Sequence, residues 1–235
     1  MSEAESSAPA GNNDVPAREP LSLLAARVLG CLLEKELSTP DVYPLSLNSL
    51  VNACNQKSNR APVMEASARE VEAAIETLRS HRLASVVSEA DARVTKYRHT
   101  VTTLYPILDT QYRAILAELL LRGPQTTAEL RMRAERMAPL PDMEGTDTML
   151  AALSDTASGS LVRKLPRQAG KKEARWSQLL TGEPDTEETS LGSAREPMKV
   201  YLTVPPEITN RLASLEAEVS TLREELKALR AELGA

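Results

Sequence analysis

Residues 67–99 read SAREVEAAIETLRSHRLASVVSEADARVTKYRH. Two periodicities meet in this stretch. Ser67 and Glu70 stand at the S-x-x-E spacing of a capping box, and Val71, Ile75 and Leu78 recur behind it at helical spacing. LASVV and RVTKYRH are short and rich in β-branched residues, and SEADA separates them as a hairpin turn. A capped amphipathic helix that runs straight into a hairpin decides the fold reading. Each element is apolar on one face only, so the two must share a core with whatever precedes them.

What precedes them is helical. SLLAARVLGCLLEKEL, from Ser22, puts Leu24, Val28, Cys31 and Leu32 on one face and Glu34, Lys35 and Glu36 in its last turn. The prolines of STPDVYPL end it, and LSLNSLVNACN follows as a shorter helix with Ser46 as its N-cap. The same order recurs downstream. TQYRAILAELLLRGPQ stops at Gly123 and Pro124, and Thr126 with Glu129 forms a second capping box. A further helix is expected to begin at Thr146, with Asp147 in its first turn. SLVRKLPR and ARWSQLL then bracket QAGKKE as a second hairpin. Three helices and a two-stranded wing, twice over, predict a mainly α chain with small β-hairpins (α+β): tandem winged-helix domains at 21–105 and 106–180.

Outside those limits the character changes. Residues 1–20 are Ser-, Ala- and Pro-rich and read as a disordered leader, without the apolar stretch of a signal peptide. Residues 181–205 read as an acidic flexible linker. Over 206–235, Ile208, Leu212, Leu215, Val219, Leu222, Leu226, Leu229 and Leu233 alternate spacings of four and three, the seam of a coiled coil. With Leu212 and Val219 at a, a parallel pair sets Arg211 against Glu216, Glu218 against Arg223 and Glu225 against Arg230, all of opposite sign. The helix either dimerises in this way or packs in cis as an amphipathic cap.

The net charge of −5 over 235 residues is unevenly placed. The leader has one Arg against four acids, and residues 181–235 have six basic residues against eleven acids. Residues 106–180 have eleven against nine, so the globular middle is mildly basic. An acidic total therefore leaves a nucleic-acid partner open while arguing against a strongly electrostatic one. No apolar run reaches the ~18 residues that span a bilayer. Cys31 and Cys54 lack metal-ligand spacing, which fits a reducing cytoplasm and no zinc site.

The third helices are poor candidates for groove entry. Residues 68–80 set Arg69 and Arg79 against Glu70, Glu72 and Glu76, and 146–158 have Asp147 and Asp155 with no cation. The wings are basic instead. Arg163, Lys164, Arg167, Lys171, Lys172 and Arg175 are opposed only by Glu173, and Arg93, Lys96, Arg98 and His99 sit on the first wing. These wings either meet an anion such as DNA or are simply solvated. Neutralising four to six phosphates would give a salt slope of about −4 to −5.

The connector NACNQKSNRAPVM (52–64) is longer than the three or four residues of an ordinary helix-turn-helix. Asn55, Gln56, Lys57, Ser58, Asn59 and Arg60 suit a recognition loop for nucleic acid or protein, and equally a self-bonded turn. Pro62-Val63-Met64 reads as a return to the core. An enzyme is not expected. His81 and His99 fall in different elements, no Gly-rich phosphate loop occurs, and Tyr97 and Trp176 read as core aromatics. Cys54 beside Lys57 reads as a small buried hydrophobe before it reads as an activated thiol. No cofactor is implied.

The segments VLGCLLEKELSTPDVYPLSLNSLVNACNQKSNRAPVM, TKYRH, LLLRGPQT, ELRMRAERM and VRKLPRQAGKKEARWSQLLTG resemble the YceH family of uncharacterised bacterial proteins, over roughly residues 21 to 182. The resemblance implies two winged-helix units and brings no activity, substrate or cofactor. Two functions are expected as alternatives. One is a DNA-binding regulator that uses its wings. The other is a protein-interaction scaffold like the winged-helix accessory subunits of chromosome-condensing complexes.

Overall fold

The protein is described by a computed structural model over residues 19–87, 94–155, 157, 159–168, 170, 172–184 and 218. Helix α1 (Leu23–Ser38) is its axis, capped by Ser22, whose hydroxyl accepts from the Ala25 amide at 3.1 Å. Its burial differs from the expected single face, because every residue from Ala25 to Glu34 is buried. The reason is that α1 serves both halves of the chain. It packs on α2 (Leu47–Cys54), α3 (Ala68–Ser80) and β3 (Lys96–His99) of its own half, and most extensively on α5 (Thr110–Arg122) of the other. Gly30 permits that approach: a Cβ there would lie 3.0 Å from Leu120 Cβ and from Leu121 Cδ2 on α5.

The capping boxes at Ser67–Glu70 and Thr126–Glu129 are both formed, and they open α3 and α6 (Thr127–Ala134). After α3, strands β2 (Ala84–Val87) and β3 pair antiparallel, Ala84 opposite His99 and Val87 opposite Lys96. A short strand β1 (Leu45–Ser46) pairs with β3, giving the order β1-β3-β2. Two residues are too few for a period-two signal, so β1 has no signature in the sequence. A one-turn helix α4 (Val101–Leu104) then leads towards the second half.

There the order repeats: α5, α6, α7 (Met143–Ser154), then β4 (Val162–Lys164) paired with β5 (Trp176–Gln178). Gln125 takes the place of β1, exchanging backbone hydrogen bonds of 3.0 and 2.7 Å with Trp176 of β5. Helix α7 begins three residues before the expected Thr146. Asp142 caps it, accepting from the Gly145 amide at 2.9 Å, and Glu144 lies in its first turn. Thr146 is buried inside the helix and returns its hydroxyl to the Asp142 carbonyl at 2.8 Å. Asp147 accepts from the Thr127 hydroxyl at 2.6 Å, which ties α7 to α6.

One continuous apolar core runs through both halves, from Leu29, Leu32 and Leu33 to Ile75, Leu78, Leu116, Leu150 and Trp176. The two ends of this region meet where the Leu21 amide donates to the Leu180 carbonyl at 2.7 Å. The described residues from Glu19 to Pro184 fall within one compact unit. The seam residues Ile208 to Leu233 lie outside the described residues. Glu218, a flank position of the expected coil, is helical and exposed.

Candidate nucleic-acid interface

The second hairpin is buried on part of its length and exposed on the rest, without strict alternation. Val162 and Leu165 face inward, while Arg163, Lys164 and Arg167 are exposed. Trp176 on β5 is buried and donates its indole N–H to the Thr127 hydroxyl at 3.3 Å. Tyr97, its counterpart on β3, is buried too. Lys164, itself exposed, places Nζ 5.3 Å over the ring of the buried Trp176, a cation–π contact. Arg163 is ion-paired with Glu183. Arg175 donates to the Pro124 carbonyl at 2.9 Å and lies 3.8 Å from Glu129, so part of its guanidinium is engaged within the fold. Arg167 and Lys172 are exposed with no carboxylate partner among the described residues. Lys171 lies outside them.

The first hairpin offers less. Arg93 lies outside the described residues, Lys96 is half-buried, and exposed Arg98 donates Nε–H to the Ser85 hydroxyl at 3.2 Å. His99 is no surface cation. Its ring is buried, with Nε2 2.8 Å from Glu36 of α1, which also accepts from Arg113 of α5 at 2.5 Å. Burial alone would push the Glu36 carboxyl up, but His99 and then Arg113 hold it below the usual carboxylate range. The solvent face of α3 stays acidic. Glu70 is held by the capping box, Glu72 is open to water, and Glu76 pairs with Arg79 at 2.6 Å.

The connector after α2 is wired into the fold. Asn55 closes it like a clasp: its amide donates to the Ala66 carbonyl and its carbonyl accepts from the Ala66 amide, both at 2.8 Å. Arg60, expected to present a cation, is buried instead. Its Nε donates to the Ala53 carbonyl at 2.9 Å, and its Nη groups donate to Glu34 at 3.1 and 2.5 Å and to Gln56 at 2.8 Å. Asn59, at φ +58°, accepts from Arg122 of α5. The Ala61 amide donates to the Leu121 carbonyl at 2.9 Å. Lys57 and Ser58 alone of the six polar residues are exposed. Val63 is exposed and Met64 half-buried, so the chain does not return to the core at that point.

Glu34 is the hub of this arrangement. Besides Arg60 it binds Arg136 at 2.7 Å, and Arg136 reaches Glu118 of α5 at 2.7 Å. Arg122 Nε lies 3.2 Å from the other Glu118 oxygen. Burial pushes the Glu34 carboxyl up, yet the hydrogen bond and charge of Arg60, aided by Arg136, hold it below its ordinary value. Sequence reasoning missed this network because its members come from four separated segments. One signal was available: Arg27 and Glu34 both interrupt an otherwise apolar helical run. Among the described residues, no cluster of His, Cys, Asp or Glu could hold a metal ion, and no helix is long and apolar enough to cross a membrane.

Fold and site define an α+β protein with exposed cations on its second hairpin and an arginine–glutamate network in its interior. The family model described as "Protein of unknown function, DUF480" matches residues 21–171. The chain is 46% identical over 203 residues to a UPF0502 protein of Geotalea uraniireducens, covering 86% of this chain and 90% of the relative. It is 48% identical over 208 residues to one of Pelobacter propionicus (87% and 91%). It is 45% identical over 216 residues to one of Vibrio vulnificus (91% and 96%). The chain belongs to this YceH/UPF0502 family of uncharacterised bacterial proteins.

Proposed function

We propose that this chain is a non-enzymatic, cytoplasmic tandem winged-helix protein that contacts duplex DNA through its second hairpin. The fold reading is supported by the repeated order of elements. In each half, three principal helices precede a hairpin, and the residue or strand before the second helix pairs with the last strand. The observation that carries the DNA reading is the exposed row Arg163, Lys164, Arg167 and Lys172 on one hairpin. A wing with this charge lies along the phosphate backbone and reads little sequence. With Arg175 engaged internally, about three or four phosphates are neutralised, a salt slope of about −3 to −4. Fluorescence anisotropy on a random duplex tests this: affinity must collapse with added salt, and a salt-independent or absent signal sinks it.

A second reading has its own observation. The acidic solvent face of α3 repels phosphate and suits a protein partner. Under it the winged helices are docking surfaces, as in the accessory subunits of chromosome-condensing complexes, and no DNA is retained at low salt. Either reading accommodates a parallel coiled-coil homodimer through 206–235.

A further inference from the structure

The chain leaves the second hairpin through a built turn. Strand β5 ends at Gln178, whose side chain organises the residues that follow. Its Oε1 accepts from the Leu180 amide at 2.7 Å and the Thr181 amide at 3.3 Å, and its Nε2 donates to the Thr181 hydroxyl at 2.7 Å. Gly182, at φ +91°, donates its amide to the Leu179 carbonyl at 3.0 Å, a left-handed step that favours glycine. The turn brings Glu183 to Arg163 on β4, where the two exposed side chains form an ion pair.

One exposed ion pair contributes little by itself. Its place in the chain gives this one weight. Asp185, Glu187 and Glu188 follow closely after Glu183, and they lie outside the described residues. Glu183, Asp185 and Glu187 alternate with Pro184 and Thr186, so an extended run sets three carboxylates on one side about 7 Å apart. Beside Arg163 on the hairpin are the exposed cations Lys164, Arg167 and Lys172, which have no carboxylate partner among the described residues. Glu173 is the one acid of the hairpin there. The backbone from Arg163 to Arg167 spans at most ~14 Å and that from Glu183 to Glu188 at most ~17 Å, so the acids reach along the cations.

We propose that the acidic segment 183–188 docks on the exposed cations of the second hairpin of its own chain and competes there with a bound polyanion. This rests on the reading of the hairpin as a phosphate-contacting surface and adds the regulation of that surface. Glu183 is the anchor, and the carboxylates after it stand where phosphates would otherwise stand. A short tether holds such a segment at a millimolar effective concentration, so contacts too weak to retain a separate peptide retain this one. A hairpin left open only ~10–30% of the time binds a polyanion about 3–10-fold more weakly than one always open.

The test has two arms on the full chain. In the first, a carbodiimide joins carboxylates to amines in contact, in a mixture of nitrogen-14 and nitrogen-15 chains mapped by mass spectrometry. The expected result is a link from 183–188 to Lys164 or Lys172 within one label, lost at about 1 M salt, where screening acts within ~3 Å. No such link, links that pair the two labels, or links to Lys57 as frequent as those to the hairpin overturn the proposal. In the second arm, the chain carrying Glu183→Gln, Asp185→Asn, Glu187→Gln and Glu188→Gln is titrated with labelled heparin. The control carries Asp41→Asn, Glu65→Gln, Glu72→Gln and Glu144→Gln, four exposed acids on other segments, and so has the same net charge. The segment variant must bind heparin about 3–10-fold tighter than the control. Equal affinities, or no heparin binding by either chain, overturn the proposal. A heparin difference without duplex DNA binding in any chain sinks the DNA reading and leaves the docking standing.

Discussion

Arg60 and Glu34 face each other through two hydrogen bonds of 3.1 and 2.5 Å, with side chains 0% and 2% exposed. The pair joins the connector after α2 to the central helix. Removing one partner from a buried ion pair costs about 3–5 kcal/mol when the other charge is left alone, but Arg136 still pairs with Glu34 at 2.7 Å and reduces that cost. Arg60→Met should therefore lower the urea midpoint by less than that full penalty, and Glu34→Leu in the same chain should recover part of the loss. An additive double variant would show that the two groups are energetically uncoupled.

Acid should unfold this protein through its bridging carboxylates. Glu34 and Glu36 are both held below their ordinary values when folded. Groups shifted in that direction contribute stability that is present above the unfolded carboxylate pKa of about 4.3 and is lost as pH falls through the folded value. The thermal midpoint should be insensitive to these two groups near neutrality and drop as pH falls below about 4. Glu36→Gln should flatten that drop. An equally steep drop in the variant assigns the acid sensitivity elsewhere.

At Gly30 two effects oppose each other. Alanine in a helix interior is worth up to ~1 kcal/mol over glycine. A Cβ here, however, meets Leu120 Cβ at 3.0 Å, an atom fixed to the α5 backbone that no rotamer change can move. Overpacking costs about 1–3 kcal/mol, so Gly30→Ala should destabilise. A raised denaturation midpoint would mean that α1 and α5 separate freely.

If the second hairpin meets DNA, Arg167→Glu and Lys172→Glu should each weaken binding to all sequences alike and reduce the salt slope by about 1. Glu183→Gln frees Arg163 from its exposed ion pair and should strengthen binding slightly. Lys57→Glu, on the connector, should change nothing. Equal losses from Lys57→Glu would move the contact surface away from the hairpin.

The C-terminal seam has its own readout. Deleting residues beyond 200 should reduce the mass measured by light scattering from twice the chain mass to a single chain. An unchanged mass counts against a parallel coil.

Much of the fold was legible locally. The capping boxes at Ser67 and Thr126, the stop at Gly123 and both hairpins follow from contacts within a few residues, where short-range sterics and hydrogen bonds act without help from the rest of the chain. Even the error at α7 was local, a choice between Thr146 and Asp142 as the cap. The burial of Arg60 was not legible. In sequence it is one more polar residue in a turn, and only Glu34, 26 positions away, makes its desolvation tolerable.

The sequence by itself determined the principal helices and the two hairpins, though not the short β1 and α4, because periodicity and capping are near-neighbour properties. Tertiary structure decided which charges remain available to a partner. His99, Arg60 and Arg175 look like surface cations in the sequence, and each is held by groups far along the chain. The reason is electrostatic. A charge is spent or free according to what stands within a few ångströms of it, and in a folded chain those neighbours come from anywhere.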